Sequence, residues 1–146
     1  MKWHNRFLQI AKTVATWSKD PASQVGAVAV SDARAILTTG YNGIPRHVAD
    51  FPERYQRPEK YRFVCHAEQN LVAHAARSVL DGATIYVTHA PCCDCAKLLI
   101  NAGVRRIYFG AGQTSMDPAM FEAARVMCHD AGVELVQIEV PDESAH

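Results

Sequence analysis

The chain of 146 residues has no excess of charge of either sign, because fifteen Lys and Arg balance fifteen Asp and Glu. A zero balance supplies no long-range field to gather nucleic acid or an anionic membrane surface. Long apolar runs are missing too. None approaches the roughly 20 apolar residues of a membrane span. The first residues, MKWHNRFLQIAKTVATW, carry an amphipathic rhythm instead, so neither a leader nor a membrane segment is expected. Cysteines number only five and are bunched, which excludes a disulfide scaffold. These absences suggest a reduced, cytoplasmic setting, where clustered Cys and His mean metal more often than disulfide. Internal repeats, low-complexity tracts and breaks in composition are also missing, so residues 1–146 are expected to form one domain.

What is present is ordinary globular material, 49% hydrophobic and 21% charged, enough for a real core. Phe7, Ile10, Ala11, Val14 and Trp17 recur at helical spacing up to Ser18-Lys19-Asp20-Pro21. Residues 25–30 and 35–41 read as two strands of a hairpin around a turn at 31–34. Residues 44–63 hold three prolines and no period, and a loop of that length is usually functional or disordered. Its basic residues Arg54, Arg57, Lys60 and Arg62 are interleaved with Glu53 and Glu59, which reads as a solvated lid. Helices are then expected over 66–78, 93–102 and 118–131, alternating with strands over 84–88, 105–109 and 133–139. Gly103 and Gly132 close the last two helices. This order predicts a three-layer α/β/α sandwich around a central five-stranded mixed sheet.

Two short stretches carry chemistry. In Pro91-Cys92-Cys93-Asp94-Cys95, a Cys-x-x-Cys pair opens a helix whose dipole favours thiolates. A structural zinc site would need a fourth protein ligand from a second such pair, and none stands at such a spacing. One histidine, His66, opens the preceding helix. His66, Cys92 and Cys95 make three ligands, which leaves a fourth position for water, as in a catalytic zinc site. Glu68, two residues after His66, is placed to carry a proton beside the metal without binding it. Zinc lowers the pKa of a bound water to around 7, so such a carrier has work at neutral pH. A redox Cys-x-x-Cys pair or a non-enzymatic zinc module stays open on the cysteines alone, but neither accounts for Glu68. Cys65 and Cys128 read as small core residues, and Cys93 as packed inward. Asn70 reads as a hydrogen-bonding support of the pocket. His89 is near enough to Cys92 to line its mouth.

The pairing of H-x-E with P-C-x-x-C is the signature of zinc nucleobase deaminases. With it, the chain resembles the cytidine deaminase superfamily and, within that, the deoxycytidylate (dCMP) deaminases. The likeness extends over residues 18–132 through Ser18-Lys19-Asp20-Pro21, Gln24-Val25-Gly26-Ala27 and Gly40-Tyr41-Asn42-Gly43-Ile44-Pro45. It continues through Val64-Cys65-His66-Ala67-Glu68, Tyr86-Val87-Thr88 and Cys95-Ala96-Lys97.

The resemblance implies a cytidine deaminase-like fold, one Zn2+ per chain and hydrolysis of dCMP to dUMP and ammonia, supplying thymidylate synthesis. It implies Glu68 as proton shuttle, Asn42 on the sugar, Gly26 and Ala27 as a small pocket wall, and Arg77 near the phosphate. It also implies a homo-oligomer, a hexamer in many members, with Tyr41, Gly43 and Arg46 around a dCTP or dTTP effector and its Mg2+. The partners expected are small deoxynucleotides, with no nucleic acid and no membrane. Two departures from the family pattern bear on the substrate. The loop 110–117 lacks the usual aromatic, and Arg46-His47 stands after Pro45 in place of a small turn. Deamination of dCTP or of a 5-substituted dCMP therefore stays open, and more distantly that of a purine base or a tRNA adenosine.

Overall fold

The computed structural model describes residues 1–76 and 78–139, so Arg77 lies outside the described residues. Five strands form one sheet in the order β2-β1-β3-β4-β5. These are β1 (Gly26–Val30), β2 (Ile36–Tyr41), β3 (Thr84–His89), β4 (Arg106–Gly112) and β5 (Glu134–Gln137). β1 pairs antiparallel with both β2 and β3, whereas β3–β4 and β4–β5 are parallel, so the sheet is mixed as expected. All five residues of β1 are buried, which explains its unbroken small apolar run Gly-Ala-Val-Ala-Val.

Each face of the sheet has its own layer. Helix α1 (Lys2–Ala15) buries Phe7, Ala11 and Val14 of the expected stripe together with Leu8 and Ala15, while Ile10 is partly buried. It lies over Val28, Val30, Tyr86 and Tyr108. The opposite face carries α3 (Ala67–His74), α4 (Cys93–Asn101) and α5 (Pro118–Ala131). There Leu71, Ala96, Leu99, Ala124 and Cys128 pack on Ala27, Ala29, Ile85, Val87 and Ile107. Trp17, expected at the end of the first helical stripe, lies beyond α1 and is 56% exposed. It meets Tyr41 edge-on at 6.0 Å instead. Helix α3 is shorter than its pattern suggests, ending where Ala75 turns extended at φ −84° and ψ 145°. Helix α5 stops as predicted, at Gly132 with φ 72°.

Two glycines decide how closely the layers approach. A Cβ on Gly26 would stand 2.1 Å from the Ala11 carbonyl and 2.4 Å from the Ala15 nitrogen, both in α1. A Cβ on Gly40 would stand 2.3 Å from the Ala67 carbonyl and 2.4 Å from the Leu71 nitrogen, both in α3. Gly26 is therefore small so that α1 can reach the sheet. Ala27, its neighbour, points to the other face and is fully buried against the α3 layer.

The segment 44–63 is not the structureless lid its prolines suggest. It contains a 3₁₀ turn (Pro52–Tyr55) and a short helix, α2 (Lys60–Phe63), and buries Tyr55. Lys60, read as part of a solvated charge cluster, turns inward to within 2.7 Å of Asp20, whose side chain is fully buried. Lys19 meets Asp50 at 3.2 Å, and Arg57 donates to the Ser115 hydroxyl in the loop after β4.

Candidate active site at two helix N-termini

His66 and Cys92 occupy equivalent places, each extended and each capping the start of a helix, at φ −71° ψ 157° and φ −78° ψ 171°. The His66 N–H donates to Gln69 Oε1 at 2.7 Å and its carbonyl accepts from the Asn70 N–H at 3.1 Å, which fixes the first turn of α3. The Cys92 carbonyl accepts from the Ala96 N–H at 2.9 Å and starts α4. Unpaired N–H groups and the helix dipole make both ends electropositive, which suits thiolates and a carboxylate there.

From these ends three donor atoms converge. His66 Nδ1 lies 3.1 Å from Cys95 Sγ and 3.5 Å from Cys92 Sγ, and all three donors fall within 4.8 Å of one another. A tetrahedral zinc with ordinary bond lengths sets neighbouring N and S ligands about 3.6 Å apart. The donor set thus fits zinc in chemistry and in size, with one coordination position left over. The hydrogen bond with Cys95 pulls the Cys92 thiol down to about 4, while the same contact and burial push Cys95 up. Bonding to Cys92 also raises His66 above its usual value, against the effect of burial.

Glu68 sits in the first turn of α3 and is only 4% exposed. Burial pushes its carboxyl up to about 7, and the neighbouring His66 only partly opposes this. A carboxyl poised near neutrality beside three metal donors can both take and give a proton.

Asn42 is placed by backbone pairing. Gly43 and Cys65 exchange two hydrogen bonds, of 3.1 and 2.8 Å, in an isolated antiparallel bridge. That register sets Asn42 across from His66. The Asn42 side chain is buried, with Oδ1 accepting from the Val25 N–H at 2.8 Å. Nδ2 donates to the Ser23 carbonyl at 2.8 Å and more weakly to Asp20 at 3.4 Å. Both amide protons are spoken for, so what remains for a ligand is the second lone pair of Oδ1. Asn70 Nδ2 donates to the Tyr41 carbonyl at 2.8 Å and ties α3 to the end of β2. Tyr41 and Arg46 are exposed, whereas Gly43 is buried in the bridge. His89 is partly buried, its Nδ1 2.7 Å from the Thr88 hydroxyl, which also accepts the Gly26 N–H at 3.2 Å. Cys93 is buried and faces Met120, its Sγ 3.6 Å from the thioether, away from the metal donors.

Residues 1–111 match the family of the cytidine and deoxycytidylate deaminase zinc-binding region. The chain belongs to this deaminase family. It is 38% identical over 148 residues to a probable deoxycytidylate deaminase of Caenorhabditis elegans, covering 99% of this chain and 74% of that protein. Against the deoxycytidylate deaminase of Homo sapiens it is 36% identical over 139 residues, covering 91% of this chain and 78% of that one. The crystal structure of dCMP deaminase from the cyanophage S-TIM5, in complex with dCMP and dUMP, superposes with a TM-score of 0.73 at 28% identity. That match covers 92% of this chain and 95% of the phage chain. The deaminase match spans Asn42, His66, Glu68, Cys92 and Cys95, and it stops before the aromatic-free stretch 112–117.

Sequence reasoning assigned no role to Asp20 and turned Lys60 outward. The signal for Asp20 was present in Ser18-Lys19-Asp20-Pro21, a conspicuous segment with no chemistry attached. No spacing rule connects it to a lysine forty positions later.

Proposed function

We propose that this deaminase hydrolyses dCMP to dUMP and ammonia. The observation that carries the reading is the buried Glu68 in the first turn of α3, whose cap His66 is one of three converging metal donors. Zinc, when bound by His66, Cys92 and Cys95, supplies the Lewis acidity that makes water a nucleophile near neutral pH. Glu68 takes the proton that the attacking water gives up at C4 and delivers it to N3 of the cytosine. It then carries the second proton, taken from the new C4 hydroxyl, to the departing C4 amine, so that ammonia leaves and a uracil ring remains. Its burial keeps bulk water from short-circuiting those transfers.

In the same reading, Asn42 accepts a hydrogen bond from a deoxyribose hydroxyl with its remaining lone pair, and Ala27 keeps the pocket wall thin. Arg77 is assigned to the 5′-phosphate, because a guanidinium grips phosphate bidentately. Tyr41, Gly43 and Arg46 are assigned to a dCTP or dTTP effector with Mg2+, in a cytoplasmic homo-oligomer.

The test is ammonia release from dCMP, dCTP, 5-methyl-dCMP, deoxycytidine, cytosine and guanine, with Glu68→Ala beside the wild type. We expect dCMP to be preferred, and Glu68→Ala to keep zinc while losing turnover by about three orders of magnitude or more. Near-normal turnover in Glu68→Ala would sink the mechanism. Rates indifferent to a 5′-phosphate would remove the Arg77 assignment, and a preference for dCTP or 5-methyl-dCMP would change the substrate.

A further inference from the structure

Asn42 is not held by the strand alone. Its side-chain amide sits in a socket whose three contacts agree on one orientation, accepting from the Val25 N–H and donating to the Ser23 carbonyl and to Asp20. Flipping the amide would set an NH2 against the Val25 N–H and an oxygen against the Ser23 carbonyl, losing both strong bonds. Asp20 is the centre of the socket. Its side chain is fully buried, and Oδ1 accepts from the Ala22 and Ser23 N–H groups at 2.9 and 3.2 Å. Oδ2 faces Asn42 on one side and Lys60 on the other, the latter at 2.7 Å with its side chain only 17% exposed. A buried carboxylate of this kind depends on its counter-charge, and removing one partner of such a pair costs far more than breaking a surface bridge. Lys60 belongs to α2, within the segment 44–63, and lies six residues before His66 on the same stretch of chain.

We infer that Lys60 and Asp20 are positioning residues for the substrate's sugar. Through Asp20, Lys60 holds the Asn42 amide in the one orientation that turns a free lone pair toward the site, and it couples the fold of residues 44–63 to substrate affinity. The inference rests on Asn42 touching the substrate as proposed above. The Lys60 ammonium pairs with Asp20 rather than with Glu68, so its removal acts on binding more than on the proton transfers. Without Lys60 the buried carboxylate loses its cation and admits water, and the Asn42 amide loses the wall that aligns it.

The experiment compares zinc-loaded wild type with Lys60→Met, Lys60→Arg, Asn42→Ala and the Lys60→Met/Asn42→Ala pair, measuring zinc content, kcat and KM for dCMP. Lys60→Met is expected to raise KM about tenfold or more, with kcat changed by less than about threefold and zinc retained. Lys60→Arg, which keeps the charge, is expected to recover most of that loss. In the Asn42→Ala background the Lys60→Met change should add less than about twofold, because residues acting as one unit are not additive. Independent, multiplying effects of the two changes would overturn the inference, as would an unchanged KM in Lys60→Met.

A second readout needs no substrate. The side-chain NH2 protons of Asn42 in 15N-labelled protein should be slow to exchange in the wild type and fast in Lys60→Met and Lys60→Arg/Asp20→Asn. Equal exchange rates would refute the socket even if dCMP proved to be the wrong substrate. If Lys60→Met does not fold, Lys60→Arg with and without Asp20→Asn decides by the same exchange measurement. A wild type inactive on dCMP with a protected Asn42 amide would count against the substrate and leave the socket standing.

Discussion

Adding one methyl group at Gly40 should disable the site from behind. An alanine Cβ there would lie 2.3 Å from the Ala67 carbonyl oxygen, 2.4 Å from the Leu71 nitrogen and 2.8 Å from the Leu71 Cα. All three are backbone atoms of α3, so no side-chain rotation can relieve the clash. Comfortable contact begins near 3.5 Å, and α3 must therefore retreat by about 1 Å. That helix carries His66 at its cap and Glu68 in its first turn, and a misplacement of about 1 Å can cost about a hundredfold in rate. Overpacking should also cost about 1–3 kcal/mol, a fall of roughly 3–10 °C in Tm for a chain of this size.

Gly26→Ala is the matched control, because its Cβ would meet α1 backbone at 2.1, 2.4 and 2.9 Å. Helix α1 carries none of the metal donors and not Glu68. Gly26→Ala should lose comparable Tm while its kcat per bound zinc stays within about threefold of wild type. Thermal melts, metal analysis and initial rates of ammonia release measure all of this. A Gly40→Ala protein with near-normal rate would refute the reasoning. So would a Gly26→Ala protein that loses rate as Gly40→Ala does, and that result would return Gly26 to the wall of the base pocket.

Cys92→Ser and Cys95→Ser should each lower zinc occupancy by about tenfold or more and abolish deamination, with Tm falling alongside, as metal analysis on purified protein would show. Removing zinc from the wild type with a chelator should stop turnover and lower Tm, and added Zn2+ should restore both; activity surviving full metal removal would contradict the site. In the metal-free protein, Glu68 sits at about 7 folded against 4.5 as its ordinary value. A raised carboxyl stabilises the fold fully below pH 4.5 and loses that contribution as pH rises through 7. The difference amounts to about 3 kcal/mol, and Glu68→Gln should lack it. Cys92, held down at about 4, works in the opposite direction in both proteins. Urea unfolding of the two metal-free proteins at pH 5 and pH 8 isolates the Glu68 contribution, and parallel pH profiles would refute it. Asn70→Ala should cost about 1 kcal/mol through loss of its bond to the Tyr41 carbonyl, read by the same unfolding.

The metal donors were legible in the sequence because their geometry is local. A histidine that caps one helix and a Cys-x-x-Cys pair that opens another have few ways to aim their donors, and Glu68 follows from the helical turn. The sheet was legible from its alternation of helix and strand patterns. What could not be read was anything set by packing between distant segments. Gly26 and Gly40 look alike in the sequence, each beside a site motif, yet they answer to different helices on opposite faces. Lys60 looked like one of four scattered cations, and only the folded chain shows that Asp20 awaits it. Helix α3 was drawn too long because its apolar pattern continues past His74 although the backbone does not.

His66 precedes β3 in the chain, at the start of α3, and Cys92 and Cys95 follow it directly, while β3 itself lies at the centre of the sheet. The three donors are therefore brought together by the connections at the two ends of the strand that pairs with both β1 and β4. Zinc held by these donors would therefore couple its own retention to the integrity of the central strand. Slow metal loss should accordingly track the opening of the central strand rather than the fraying of either edge.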